Sequence, residues 1–582
     1  MESQSLANQK LEQKSREREE KEEKTVFSNG LLSRLNSMIR STRMKLLAVV
    51  FAVGFPAIGG SSIYCSGVKS SRNASIKMQI QEENGSNPSM LKEKSPDQTP
   101  SLESERVDKQ PEREEREPWA PLEIVFWIVI FGMTIKGILR TKHVFDSLNW
   151  LKEQSGQLQM EAQEIVKEKA CRIYVIIPAY KEQAIIEQTM ECFASLQYPN
   201  LKVVVVTTDK EKQEEGMSTT MDIVKQVAER LDDEANQDIF SLIHYPHSEG
   251  GMKEQVNYAA KEISKNLSRE NQGESYVAVY NADSRPNPQT FLVFNALVQK
   301  KGVEVAVQNS VHFSNFNKLP FTPSGVLLKA ASVFQTRWSM EEVSMQRKQA
   351  EFWDGKQTPL DLRDTLSEQL AYCIGHGSFF RLDIWNEAGG FPEDCELDDL
   401  PLGFLLTCKG ISIQPMPLLE NCETPSSVTD LIKQKANWYR MMIGYMDPRR
   451  VALERNLASR LRIDLITLRS FLRDAVSWGL VSPAILVSLI TPLITGSPVH
   501  VVASVTGLTL FSLLNTWKII KEKSIIAELS DGNEINLDTL QKFLVVGATI
   551  PYCLIASLGP YNTLIRKILG LDYNDHKTKR QD

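Results

Sequence analysis

Residues 375–403 read GHGSFFRLDIWNEAGGFPEDCELDDLPLG. The stretch ends in two adjacent aspartates, Asp398 and Asp399, set between Leu397 and Leu400. Neighbouring carboxylates in an apolar frame repel and desolvate one another, which raises a pKa and makes a usable general base. A solvated Asp-Asp turn is the competing reading, and the flanking segments bear on the choice.

Around this stretch, from 171 to 445, the pattern is α/β. Short β-rich runs at 173–177, 203–207, 276–280 and 303–308 alternate with helical stretches, the first of which puts Ile186, Met190 and Phe193 on one face. Such alternation predicts a mostly parallel sheet covered on both faces. Ligands of these sheets bind beyond the carboxyl ends of the strands, and four polar constellations fall there. IPAYKEQ (177–183) follows the first run, with Tyr180 and with Glu182 placed to meet a base or ribose or merely to open a helix. The second run ends in Thr-Thr-Asp at Asp209. Gly250-Gly251 precedes a helix that carries Lys253, so backbone amides and a lysine can face an anion. YNADSRP (280–286) puts Asp283 just past the third run, where a carboxylate holds a divalent cation with oxygen ligands or caps a turn.

Apolar runs lie on both sides of this region. Charged residues fill 1–45, and 46–64 is uncharged and long enough to cross a ~30 Å hydrocarbon core. Arg34, Arg40, Arg43 and Lys45 before it place the N-terminus in the cytoplasm. Residues 65–120 are polar, read as disordered and extracytoplasmic, and contain two weak glycosylation sequons at Asn73 and Asn84. A second span, 121–139, is followed by Arg140 and Lys142, which returns the chain to the cytoplasm; 140–170 reads as a linker helix. Beyond the α/β region, 446–474 pairs a leucine stripe with seven arginines and predicts one amphipathic helix on the membrane surface. Spans follow at 475–496 and 499–517, then a polar loop at 518–542 and a third apolar stretch at 543–565, which spans or re-enters. Three spans would leave the basic tail, 566–582, outside, against the sign of its charge.

The chain has 582 residues and a formal net charge of −6, which argues for several units and against nucleic acid as a partner. Its eight cysteines form no C-x-x-C and no His/Cys cluster along the sequence, so neither zinc nor a disulfide framework is expected.

Taken together, these motifs resemble those of the membrane-embedded family-2 glycosyltransferases, the group that includes cellulose, chitin and hyaluronan synthases and ceramide glucosyltransferases. IPAYKEQ resembles the family's P-x-Y-N-E turn with Lys181 for Asn, and Asn281-Ala282-Asp283 its D-x-D metal motif with Asn281 for the first Asp. ELDDLPLG resembles T-E-D-L-P-L-G, which puts Asp399 on the catalytic base. Gln434-Lys435-Ala436-Asn437-Trp438 resembles Q-x-x-R-W, with Asn437 for Arg.

The resemblance implies a GT-A-type cytoplasmic domain at 171–445 in a multi-pass protein of the cell membrane. It would take a nucleoside-diphosphate sugar, UDP-linked by preference, on Tyr180, Glu182, Asp209, Lys253 and Asp283, with Mg²⁺ or Mn²⁺ on Asp283. Asp399, beside Asp398, would deprotonate the acceptor, and Gln434, Asn437, Trp438 and His376 would line the acceptor path; for His376 a satisfied loop histidine is the alternative. The expected reaction is inverting extension of a polysaccharide, with coupled export. Single transfer to a lipid is the alternative, and an inactive scaffold or transport subunit is the reading from another class.

Overall fold

The computed structural model describes residues 120–211, 218–235, 239–354 and 362–571. The run at 46–64, both sequons and most of the basic tail therefore lie outside the described residues.

The description begins with one continuous helix, α1 (Ala120–Glu168, 49 residues), so the apolar run at 121–139 and the linker at 140–170 form a single rod about 70 Å long. Its far end, at Leu158 and Ala162, packs into the core of the α/β domain. That domain opens with β1 (Arg172–Pro178), α2 (Ile186–Ala194), β2 (Leu201–Thr208), β3 (Phe240–Tyr245), α3 (Met252–Lys265) and β4 (Ser275–Val279). As its spacing requires, α2 buries Ile186, Met190 and Phe193. After β5 (Val305–Val307) and β6 (Ser310–Val311) comes a long helix, α4 (Pro323–Trp353). Next are β7 (Ser378–Arg381), α5 (Asp399–Lys409), β8 (Gln414–Pro415), β9 (Glu420–Asn421) and α6 (Val428–Ile443).

The main sheet has the order β3-β2-β1-β4-β7-β5-β8. It is parallel except at β7, which runs antiparallel to both β4 and β5. Both faces are buried: Ile173, Val175 and Ile177 enter one core cluster, and Ile176, Val204 and Val206 another. This explains the unbroken apolar runs of β1 and β2, because a sheet covered twice has no polar side. From β1 the chain winds outward to β2 and β3, then returns to place β4 on β1's other flank. That reversal opens a crevice at the carboxyl ends of β1 and β4.

Apolar helices flank the domain in sequence. Pro121–Glu168, Pro498–Lys521 (α7) and Thr539–Leu569 (α8) are long and apolar enough to cross a membrane, and the bent pair Arg460–Gly479 and Val481–Thr495 makes a fourth if it is one span. The single surface helix expected at 446–474 is replaced by two helices, Met446–Glu454 and Arg460–Phe471. The arginine face is also not all outward. Arg462 is buried and donates to Glu368 Oε2 (2.8 Å) and Thr365 Oγ1 (3.1 Å), while Arg473 bonds to Asp474 and the Leu370 carbonyl. Helical periodicity showed two faces, but the domain itself takes up part of the charged one.

Candidate active site

The head of α5 and the loop that leads into β7 build the centre of the site. Gly403 lets α5 lie hard against the preceding segment, since a Cβ there would come within 2.7 Å of the Cys373 amide nitrogen. The start of α5 is thereby brought under Gly375. Asp398 is the N-cap and accepts from the Asp399 amide (2.9 Å), while Asp399 Oδ1 accepts from the Leu400 amide (2.7 Å). Asp399 Oδ2 faces Gly375, 3.4 Å from where a side chain on that glycine would begin. Burial and then the neighbouring Asp398 push the Asp399 carboxyl up to about 7, against the pull of the Leu400 and Gly375 amides and of His376. Asp398 is also raised, chiefly by burial. Around neutral pH the pair is therefore poised to take or release one proton.

Beside it stands His376. Its Nδ1 lies 2.7 Å from Glu420 Oε2, and its Nε2 lies 3.4 Å from Ser310 Oγ and 4.0 Å from Cys422 Sγ. Burial opposes a charge on the ring, but Glu420 and Cys422 override it and hold the imidazole well above its usual range. The donor atoms of His376, Glu420 and Cys422 all lie within 4.8 Å of one another. This corrects the expectation that no His/Cys cluster exists: the loop before β7 and strand β9 bring together residues 44 and 46 positions apart.

At the crevice rim, Lys181 adopts φ 56°, the left-handed region that a lysine enters only under strain. The turn delivers Tyr180, whose ring has the Lys210 ammonium 5.4 Å and the Lys181 ammonium 6.0 Å from its centroid. Glu182 is buried, and its amide donates to Thr220 Oγ1 (3.1 Å). Asp209 pairs with His244 (2.9 Å), which in turn meets Thr207 Oγ1 (2.9 Å). At α3 the Gly251 amide is already bonded to Glu254 (2.6 Å). Lys253 donates to the carbonyls of Glu393 (2.9 Å) and Cys395, so it steadies the loop that leads into Asp398. Asp283 is exposed at the end of β4, in electrostatic contact with Arg285.

Three of the four residues expected on the acceptor side, Gln434, Asn437 and Trp438, sit on α6. Gln434 accepts from Gln335 of α4 (3.1 Å), and Asn437 is exposed. Trp438 stacks with Trp338 (centroids 6.4 Å apart), which stacks in turn with Tyr372 (6.5 Å). The Lys435 ammonium lies 3.6 Å from the Trp438 centroid.

Residues 171–441 match the sequence profile of the family described as Glycosyltransferase like family 2. They form a family-2 glycosyltransferase domain. The chain is also similar to the crystal structure of S. aureus TarS 1–349, with 14% identity over 69% of this chain and 93% of that one and a TM-score of 0.32. The same fragment in complex with UDP-GlcNAc gives 12% identity over the same shares and a TM-score of 0.31. No curated protein matches the chain.

Two donor sets in the glycosyltransferase domain bear on a metal. Asp283, with the carboxamide oxygen of Asn281, offers the hard oxygen atoms that Mg²⁺ or Mn²⁺ takes, but only one carboxylate. Phosphate oxygens of a bound nucleotide would have to complete the shell. His376, Glu420 and Cys422 offer nitrogen, oxygen and sulfur, a set suited to a borderline ion such as Zn²⁺ rather than to Mg²⁺. Glu420, Cys422, Lys435, Arg285, Trp338 and Tyr372 were not singled out from sequence. Arg285 and Lys435 stand inside motifs quoted above, and the other four lie in none of them.

Proposed function

We propose that the glycosyltransferase domain moves a sugar from a nucleoside-diphosphate sugar, by preference a UDP-sugar, to the hydroxyl of a growing polysaccharide, with inversion. The observation that carries this is the Asp398–Asp399 pair, raised toward neutrality at the head of α5 beneath Gly375 and His376. A carboxylate near 7 is matched to taking a hydroxyl proton at physiological pH.

The donor lies across the crevice between β1 and β4. Tyr180 and Glu182 face its nucleoside, with Asp209 at the end of β2. Asp283 and Asn281 would hold a divalent ion, which draws charge from the departing diphosphate when bound. Asp399 accepts the acceptor's proton as the hydroxyl oxygen bonds to the anomeric carbon. The bond to the diphosphate breaks on the opposite face, so a single displacement inverts that carbon. His376, held cationic by Glu420, keeps Asp399 ionised over more of the working range. The α6 wall receives the acceptor, and the apolar helices pass the product onward.

The reading as an inactive scaffold draws on Asn281 and on exposed Asn437, which stand where the family carries a carboxylate and a cation. One experiment separates the two: purified full-length protein is incubated with UDP- and GDP-sugars, and released nucleotide is measured. Hydrolysis or transfer that is lost in EDTA, restored by Mg²⁺ or Mn²⁺ and reduced in Asp283→Ala is the expected result. No turnover with any donor would favour the scaffold.

A further inference from the structure

Helix α6 carries a charged side chain that the reaction above leaves unused. Lys435 is 3% exposed, yet among the described residues no carboxylate faces it. Among the described residues its ammonium has the Trp438 ring as its near neighbour and makes no hydrogen bond or ion pair. The other titratable group close by is His312, whose ring is pushed down to about 3 by burial and then by Lys435 itself. Burial alone drives the Lys435 pKa well down, with nothing to restore it. A buried cation is normally paired, because leaving its charge uncompensated in a low dielectric is expensive. Gln335 of α4 bonds Gln434, the residue before Lys435, through its amide nitrogen and leaves its own carbonyl oxygen buried without a partner. A lysine without a counter-charge on α6 and an unmatched acceptor on α4 thus belong to one helix pair.

The helical position adds meaning. At 100° per residue, Lys435 and Asn437 project on opposite flanks of Trp438. Asn437, where the family carries a cation, is exposed, whereas Lys435 is turned inward toward His312 at the end of β6.

We infer that Lys435 is the seat of a phosphate group carried by a substrate of this domain, supplying from one flank of Trp438 the charge that Asn437 does not supply from the other. The inference rests on the proposed transferase reading. Two substrates bring phosphate: the donor through its diphosphate, and a lipid-linked acceptor through its head. In the ligand-free protein the Lys435 side-chain nitrogen covers the Trp438 ring. A phosphate draws it off that ring, which opens the face to a sugar, and the phosphate's negative charge favours the protonated lysine, the proton coming from solvent.

The test uses the full chain in phosphatidylcholine nanodiscs. Affinities for UDP, GDP, inorganic pyrophosphate and a polyprenyl phosphate doped into the bilayer are compared for wild type, Lys435→Met, Lys435→Arg and the double variant Lys435→Met/Asn437→Arg. A hydrogen bond to a charged group is worth enough to cost Lys435→Met about tenfold or more in affinity for the phosphate it holds. Lys435→Arg should keep most of the affinity. Loss on UDP or GDP together with pyrophosphate assigns the phosphate to the donor. Loss on the lipid phosphate alone assigns it to the acceptor, and both outcomes support the inference. Partial recovery in the double variant supports the shared role with position 437. If Lys435→Met binds all four probes as tightly as wild type, the inference is overturned while the transferase reading stands. Wild type that binds none of the four overturns both. Should Lys435→Met fail to unfold cooperatively, Lys435→Gln, neutral and of similar length, is read in its place.

Discussion

At the scale of single residues, chemistry in this domain depends on who stands beside whom. As the proposed base, Asp399 is raised by burial and then by Asp398, and His376 keeps the rise in check. Asp399→Asn is therefore expected to lower transfer ~10²–10⁴-fold with nucleotide-sugar affinity retained, read by steady-state rates beside donor titrations. In wild type the rate should climb as pH rises through about 7, because the base must be ionised and its folded pKa is displaced upward. Glu420 acts one step removed. Replacing it by Gln takes away the carboxylate that holds His376 cationic, and a neutral His376 no longer lowers Asp399. The rising limb of the pH–rate profile in Glu420→Gln should move to higher pH. A profile that stays in place while the protein remains folded would show that the pair does not communicate with the base.

At the scale of elements, contact between helices sets where those side chains stand. Helix α8 crosses α6 at Gly559, where an added Cβ would lie 2.6 Å from the Ala436 amide nitrogen and 2.7 Å from the Ile432 carbonyl oxygen. These are backbone atoms and cannot turn away, and Thr563 bonds the Ala436 carbonyl one turn on (3.0 Å). Gly559→Ala should force the helices apart and destabilise the protein by ~1–3 kcal/mol, seen as a lower unfolding midpoint. Because α6 carries Gln434, Lys435 and Trp438, the same change should weaken acceptor use more than donor binding.

At the scale of the whole molecule, the packing suggests how the helices sit in a bilayer. Along α1, Phe126 meets His500 (4.7 Å between ring centroids), Arg140 lies over Phe511 and Phe145 under Lys518, so α7 runs parallel to α1 and, like it, heads toward the domain. The loop after it is tied there: Asn317 bonds the Glu534 carbonyl (3.0 Å) and the Asn536 amide (2.9 Å). From that point α8 lies along α4 and α6, with Leu540, Phe543, Leu544, Leu558, Ile565 and Ile568 exposed on its other face. A helix held to the domain on one face and apolar on the other is expected to lie in the membrane interface rather than cross it. The chain after α8 then stays on the domain's side, where Arg566 and Lys567 favour the cytoplasm. Cysteines introduced at 534 and 570 should both be labelled from the cytoplasmic side only. Labelling of 570 from the opposite side would make α8 a span.

Much of this was legible in the sequence because its signals are local. Continuous β-branched runs, the spacing that buries Ile186, Met190 and Phe193, and the Asp-Asp pair ahead of an apolar helix each concern residues within a few positions of one another. They determined the α/β class, the flanking apolar helices and the choice of the Asp398–Asp399 pair as candidate base. The tertiary structure decided what long-range pairing alone can decide. Sheet order and the β7 reversal bring His376 to Glu420 and Cys422, and the packing of α6 against α8 and α4 buries Lys435 without a counter-charge. Periodicity reports that a helix has two faces, but only its neighbours determine whether a charge such as Arg462 meets water or Glu368.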